Sequence, residues 1–271
     1  MSKIITNEEI KTRQIELLNY FKATCEELGL RYSLAYGTLL GAVRHGGYIP
    51  WDDDIDVCLP REDYNKLVEA MKTRDGRFQL YEGSKRKKFY LSYAKLVDTD
   101  TYLVLDDKKA IQMEGDGINI DVFPFDNCPD SENEFKKYYF KLQILRQMKG
   151  ITSQRGIPWR KSKIKTLINS FLKLFAVIFG YRFWTDRITN LSQKYNKKET
   201  ENICVMSVTF SYNERIPRSQ FENMSKIAFE GEEYMCFSDV DAYLSGRYGN
   251  YMQLPPEEQR VAPHGFTAYR K

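Results

Sequence analysis

Four carboxylates fall within five positions of the string WDDDIDV: Asp52, Asp53, Asp54 and Asp56. In an extended chain successive side chains alternate faces. Asp54 and Asp56 therefore share one side, while Ile55, Val57 and Leu59 share the other. Two anions held side by side repel each other, and a divalent cation between them removes the repulsion. Oxygen donors without thiolate or imidazole suit Mg2+ or Mn2+ better than zinc. The string GINIDVF repeats the alternation, with Ile118, Ile120 and Val122 facing one way and Asn119 and Asp121 the other. If its strand lies beside DIDV, Asp121 adds a third carboxylate, able to hold metal or to accept a proton from an attacking hydroxyl. A solvated acidic loop is the competing reading for Asp52 and Asp53.

The segment before the aspartates, GTLLGAVRHGGYIPW, fits the same chemistry. Gly37 lets the chain turn off its strand, and Thr38 offers a hydroxyl and an N–H to a phosphate. Gly41 permits close packing, and Gly46-Gly47 makes a tight loop. Arg44 is placed as a bidentate phosphate clamp and His45 as its neighbour in an overhanging loop, with a surface ion pair and a loop hydrogen bond as the structural alternatives. Lys95, in YLSYAKLV, shares a strand face with Tyr93 and Val97. A charge inside a strand needs a partner, here a phosphate or one of the aspartates, unless Lys95 is a solvated lysine on an edge strand.

These residues need a scaffold. Thr6 and Glu9 have capping-box spacing, and Ile10, Leu17, Leu18, Phe21, Cys25 and Leu28 recur at helical intervals up to Gly29, so a helix is expected over 7–28. RYSLAYG is expected to be a strand ending at Gly37, TLLGAV a helical turn or two, DIDVCL a strand ended by Pro60, and REDYNKLVEAMK a helix. Residues 78–123 look β-rich in FQLY, YLSYAKLV, TYLVL and GINIDVF, and a helix is expected over about 131–149. Mixed short elements follow over 203–254, with a helix at DVDAYLSGRYG, and the Pro-rich ending MQLPPEEQRVAPHGF reads as loop. Three parts are expected: a catalytic core over 1–150, a basic helical segment over 151–200, and a C-terminal part over 201–271 that packs on the core and completes the site.

The basic segment carries Arg155, Arg160, Lys161, Lys163, Lys165, Lys173, Arg182 and Arg187. Within it Lys165, Thr166, Asn169, Ser170 and Lys173 fall on one helical face, and Ile164, Leu167, Ile168, Phe171, Leu172, Phe175 and Ile178 on the other. The apolar run is too interrupted to span a bilayer, which needs ~20 predominantly apolar residues. A helix over 160–182 is expected to lie on an anionic membrane surface, unless its apolar face is spent on the core.

At 271 residues the chain can bury its own core without disulfides or zinc. Hydrophobic residues at 42% and charged residues at 29% exclude disorder, collagen and coiled coil as whole-chain readings. A net charge of +4 is too mild to argue for nucleic acid. Five scattered Cys without a CxxC pair fit a reducing compartment, and MSKIITNEEIKTRQ has no signal-like apolar run.

The string YGTLLGAVRHGGYIPWDDDIDVCLPREDY, the lysine of SYAKLVDTDT, the aspartate of NIDVFPFD and the tail YGNYMQLPPEEQR together resemble the LicD family of phosphotransferases. That resemblance spans about residues 8–264. It implies a nucleotidyltransferase-like α/β (α+β) fold, a mixed central sheet with flanking helices. It also implies Gly37-Thr38, Asp54/Asp56 and Asp121 in the superfamily's catalytic places. The reaction implied is transfer of phosphocholine from CDP-choline to a sugar hydroxyl of a bacterial surface glycan (teichoic acid, lipopolysaccharide or capsule precursor), releasing CMP. Relatives move ribitol or glycerol phosphate from other CDP-alcohols. The acceptor would be lipid-linked and the enzyme peripheral on the cytoplasmic membrane face. A choline headgroup calls for an aromatic cage, for which Tyr48, Trp51, Tyr248 and Tyr251 are available, and Arg260 belongs to the C-terminal motif. Two other readings stand beside this one: an NTP-dependent nucleotidyltransferase releasing pyrophosphate, and a glycan-binding protein without activity, which the intact Asp54, Asp56 and Asp121 argue against.

Overall fold

The computed structural model describes residues 3–83, 88–106, 113–153, 163–208, 212–261 and 265–271, with side chains for all of these except 153, 163–169 and 172. Helix α1 (Asn7–Leu28) opens on the expected capping box, with Thr6 and Glu9 each accepting the other's backbone N–H, and Gly29 closes it in the left-handed conformation. Such an N-cap stabilises a helix by about 1 kcal/mol. Its buried stripe, Ile10, Gln14, Leu17, Leu18, Phe21, Thr24 and Cys25, holds two polar residues, of which the site explains Gln14 below.

Short strand β1 (Ser33–Leu34) leads at once into helix α2 (Tyr36–His45). The strand expected over RYSLAYG is thus only two residues long, because the chain turns at Tyr36, where φ is +43° and an ordinary residue is strained. The N–H of Tyr36 is met there by the hydroxyl of Tyr243 at 3.3 Å. Strand β2 (Asp56–Pro60) follows, then α3 (Arg61–Ala70), β3 (Phe78–Tyr81), β4 (Ala94–Asp98), β5 (Thr101–Leu105) and β6 (Asn119–Asn127). Helices α4 (Glu132–Ser153) and α5 (Lys163–Ser192) form a hairpin. After it come β7 (Asn202–Cys204), β8 (Ile216–Pro217), the hairpin β9 (Ser225–Phe229) and β10 (Glu232–Cys236), α6 (Val240–Tyr248) and β11 (Phe266–Arg270).

The main sheet runs β1-β2-β6-β4-β3, and the far end of β6 continues into β7 and β8. Only β2 and β6 pair in parallel within it. A parallel neighbour requires a long crossover, and α3, β3, β4 and β5 supply it. Two small antiparallel ladders, β9-β10 and β5-β11, complete a mixed α/β fold. Strand β11 falls in a tail read as loop up to Phe266. Its alternating FTAYR, rich in aromatic and β-branched residues, is the signal that marks it.

The principal core draws on residues from Ile5 to Ala268, so the C-terminal part packs on the same interior as α1 and the sheet. A second cluster, including Phe135, Tyr138, Leu142 and Ile188, ties α4 and the end of α5 to β7. Among the described residues no helix is long and apolar enough to cross a membrane. Arg155, Arg160 and Lys161, and the side chains of Lys163, Ile164, Lys165, Thr166, Leu167, Ile168, Asn169 and Leu172, lie outside what is described.

Candidate active site

Strand register sets Asp56 directly opposite Asp121 across the parallel pair, and Asp121 directly opposite Lys95 across the antiparallel one. Three strands therefore present Asp56, Asp121 and Lys95 in one row. The strand partners behind the row, Val57, Ile120 and Val122, are fully buried, so the alternation leaves the charged set on the other face. Asp54 sits two residues before Asp56, just ahead of β2, where the Ile55 carbonyl accepts the Asp121 N–H at 2.8 Å.

Lys95 Nζ lies 3.0 Å from Asn119 Oδ1, to which it donates, and 3.0 Å from Asp121 Oδ1, out of line for a hydrogen bond. Asp121 Oδ1 is buried and receives no hydrogen bond among the described residues. Burial first, then the charges of Asp54, Asp121 and Asp52, push the Asp56 carboxyl well above the usual carboxylate range, with Lys95 pulling the other way. Added positive charge beside these carboxylates would favour the ionised form of Asp56. Among the described residues, Asp52, Asp53 and Asp54 are the one set whose carboxylate oxygens come within 4.8 Å of one another. An orphaned buried oxygen and an all-oxygen donor set fit a hard divalent cation.

The flanking groups have specific tasks. Thr38 is buried, and its hydroxyl accepts the Asp56 N–H at 2.8 Å, so it fixes the start of β2. What it can offer a phosphate is its N–H, in the first turn of α2, where helix geometry leaves the amides of Gly37 and Thr38 without intrahelical acceptors. Gly37 lies against the Asp52 carboxylate: a Cβ there would meet Asp52 Oδ2 at 2.6 Å and turn that side chain aside. Gly41 is tighter, since a Cβ would stand 2.4 Å from the Gly47 carbonyl oxygen, which clamps α2 onto the loop at 46–49. That loop is held by Glu230, whose carboxylate accepts the Tyr48 N–H at 2.9 Å and whose own N–H reaches the Gly46 carbonyl at 3.0 Å.

Arg44 donates through Nε to His45 Nε2 at 3.1 Å and through Nη1 to the Tyr251 carbonyl at 3.1 Å. It therefore anchors the C-terminal loop. Burial and then Arg44 hold the His45 imidazole below its ordinary range. The His45 and Trp51 rings meet edge-on at 6.5 Å, and the Arg260 guanidinium lies 5.6 Å from the Trp51 ring. Arg260 is close enough to Arg44 to lower its basicity, second to burial. Burial, then Asp56 and Asp52 against the pull of Arg247, raises the Tyr248 phenol. Arg44, His45, Trp51, Tyr248 and Arg260 thus form an aromatic and cationic cluster beside Asp52 and Asp56. Of the other cage candidates, Tyr48 is a core residue bonded to Gln14, and Tyr251 bonds Asp241 at 2.8 Å.

A separate cavity of about 300 Å³ opens at the carboxylates, lined by Asp53, Asp54, Lys95 and Asp121 together with apolar side chains such as Ile10 and Leu103. None of the aromatic and cationic cluster lines it. Two residues the sequence did not single out complete the support. Gln14 donates to the Asp53 carbonyl at 2.9 Å and accepts from Tyr48, which explains its place in the buried stripe of α1. Tyr93 is half-buried beside Asp121, and its phenol is pushed up by burial first and then by Asp121 and Asp56. Its place on the Lys95 face was the available signal.

A carboxylate row at the end of a parallel strand pair, with helix amides and arginines beside it, defines a site for phosphate chemistry. The family profile described as "LicD/FKTN/FKRP, nucleotidyltransferase domain" matches residues 29–150. The lipopolysaccharide cholinephosphotransferase LicD of Haemophilus influenzae is 30% identical over 98% of this chain and 99% of its own length. Human ribitol 5-phosphate transferase FKRP is 30% identical over 110 residues, 41% of this chain and 20% of that protein. An uncharacterised protein of Rickettsia prowazekii is 40% identical over 76 residues. The chain belongs to the LicD family, and it is a phosphotransferase.

Proposed function

We propose that the chain transfers phosphocholine from CDP-choline to a sugar hydroxyl of a bacterial surface glycan, releasing CMP in a metal-dependent reaction. The observation that carries this reading is the row of Asp56, Asp121 and Lys95, joined by Asp54 and flanked by two separate binding regions. A transferase between two large substrates needs such a pair. The aromatic and cationic cluster suits a nucleotide diphosphate, with Arg44 and Arg260 for charge and Trp51 for a base. The cavity beside Asp121 suits the acceptor sugar or the headgroup.

In the reaction the acceptor oxygen forms a bond to the distal phosphorus, and the bond from that phosphorus to the bridging oxygen breaks, so that CMP leaves. The hydroxyl proton passes to Asp121, whose orientation Lys95, Asn119 and Tyr93 hold. The Gly37 and Thr38 amides and Arg44 meet developing negative charge. Asp54 and Asp56, with Asp121, would hold a Mg2+ or Mn2+ ion, which neutralises the diphosphate and orients it. The acceptor is assigned as a lipid-linked glycan precursor, met by the enzyme as a peripheral protein on the cytoplasmic membrane face.

The likeness to FKRP supports one alternative donor, a CDP-activated ribitol phosphate. Incubation of the chain with CDP-choline, CDP-ribitol, CDP-glycerol and NTPs, each with Mg2+ and a glycan acceptor, tests the reading. CMP formed fastest from CDP-choline is the expected result. CMP from CDP-ribitol or CDP-glycerol alone replaces the headgroup, and pyrophosphate from an NTP replaces the reaction class.

A further inference from the structure

The hairpin of α4 and α5 differs in charge from the rest of the chain. From Phe135 to Thr185 there are twelve Lys and Arg and no Asp or Glu, although the whole chain carries only +4. The remainder is therefore net acidic. In this basic region α5 breaks at Gly180, where φ is +72° and ψ is 167°, outside the helical range. Past the break, Trp184 folds back and donates through Nε1 to the Ala176 carbonyl at 2.9 Å, and Ala176, Trp184 and Met148 are buried together.

Among the described residues, the other face of α5 is exposed. Phe171, Leu174 and Ile178 are 70%, 63% and 71% exposed, and Phe175, Val177 and Phe179 are also exposed. Positions 171, 174, 175 and 178 make one helical stripe. On α4, Lys137, Phe140, Lys141 and Ile144 follow the same spacing and are all exposed. Two neighbouring helices thus set bulky apolar side chains next to lysines. Soluble monomers rarely expose apolar stripes of this size. Nucleic acid would leave Leu174, Val177 and Ile178 in water, whereas an anionic bilayer accepts both kinds of group, headgroups for the cations and the acyl boundary for the apolar stripe.

We infer that the exposed stripe of α5, with the lysines of α4, docks the enzyme on an anionic lipid surface. The inference rests on the proposed reading only for which leaflet is met. The hairpin is tied to the catalytic sheet by Thr185, whose hydroxyl donates to the Tyr90 carbonyl at 3.0 Å, and by the Tyr90 and Tyr181 rings at 4.7 Å. Tyr90 lies just ahead of the strand that carries Lys95, so docking through α5 sets the site at a fixed place relative to the surface.

Co-sedimentation of the full chain with phosphatidylcholine vesicles and with equimolar phosphatidylcholine–phosphatidylglycerol vesicles tests this directly, without any turnover assay. Binding at least tenfold tighter to the anionic vesicles, falling with salt, is expected. Each engaged basic residue contributes about fivefold, so Lys137→Gln with Lys141→Gln lowers binding by about twenty-fivefold. The triple substitution Phe171→Gln, Leu174→Gln, Ile178→Gln, at exposed positions, lowers it at least tenfold with an unchanged circular dichroism spectrum. Three results overturn the inference: no preference for anionic vesicles at low salt, unchanged binding by the triple variant, or a wild-type dimer that the triple variant converts to monomer, which would mean a second copy covers the stripe. None of these touches the donor assay, so docking and chemistry fail separately.

Discussion

The carboxylate site and the α4–α5 hairpin are built on opposite plans. At the site almost every side chain is held by a partner far away in sequence: Thr38 by the Asp56 amide, Arg44 by Tyr251, Gln14 by the Asp53 carbonyl. Like charges are gathered there against their mutual repulsion. In the hairpin apolar residues are gathered and left exposed, and from Phe135 to Thr185 every charge is positive. The first arrangement gathers carboxylates whose mutual repulsion a bound cation would relieve. The second stores unfavourable hydration that a surface relieves. Each region is incomplete in the way that matches what it would bind.

The two plans predict opposite responses to substitution. Asp56→Asn, or Asp54→Asn, is expected to lower turnover by at least ~10³-fold while leaving Tm unchanged or raised, because it removes a charge from a crowded, buried set. Steady-state kinetics with differential scanning fluorimetry checks this, and activity within a few-fold of wild type would defeat the metal assignment. Asp121→Asn should lower kcat by ~10²–10⁴-fold with little change in donor KM. A collapse of donor affinity alongside the rate would make Asp121 a metal ligand before anything else. The α5 stripe variant, by contrast, should keep turnover on a soluble acceptor within about threefold, since no stripe residue touches the site.

Smaller effects sharpen the contrast. Gly41→Ala places a methyl against the Gly47 carbonyl, where neither backbone can give way cheaply, so a loss of about 1–3 kcal/mol is expected in denaturant unfolding. In the hairpin, burial and then Arg146 lower the Lys149 ammonium to about 8. A lysine that is more acidic folded than unfolded costs stability while both states are protonated, below pH 8, and the cost fades as pH rises from about 8 towards the ordinary lysine value. Stability attributable to Lys149 therefore increases over that window. Lys149→Met should remove this pH dependence and raise Tm at pH 7 by roughly 2–5 °C, read from melts at pH 7 and pH 9.5.

The local signals were legible: the capping box and Gly29 mark the ends of α1, and alternation sets Asp121 and Asn119 on one side of β6, whereas Asp54 lies ahead of β2 and not on it. What sequence cannot give is pairing: nothing in GINIDVF says that it lies parallel to β2, and that one fact makes the row. Gln14, Glu230 and Tyr93 went unread for the same reason, since each acts on a partner distant in sequence. Tyr48 shows the converse. It stands near the aspartates in sequence, but ordinary packing is the stronger expectation for any one of so many Tyr, and its ring packs against Phe229 while its hydroxyl bonds Gln14. The hairpin divides likewise: the basic amphipathic pattern was visible, but whether its apolar face is covered depends on the break at Gly180.

The most direct test of the central claim is CMP release from CDP-choline, with glycan acceptor, followed before and after removal of divalent ions by EDTA. The account predicts that turnover stops with EDTA, returns with Mg2+ or Mn2+, and does not return in the Asp56→Asn variant. Undiminished CMP release in excess EDTA would contradict it.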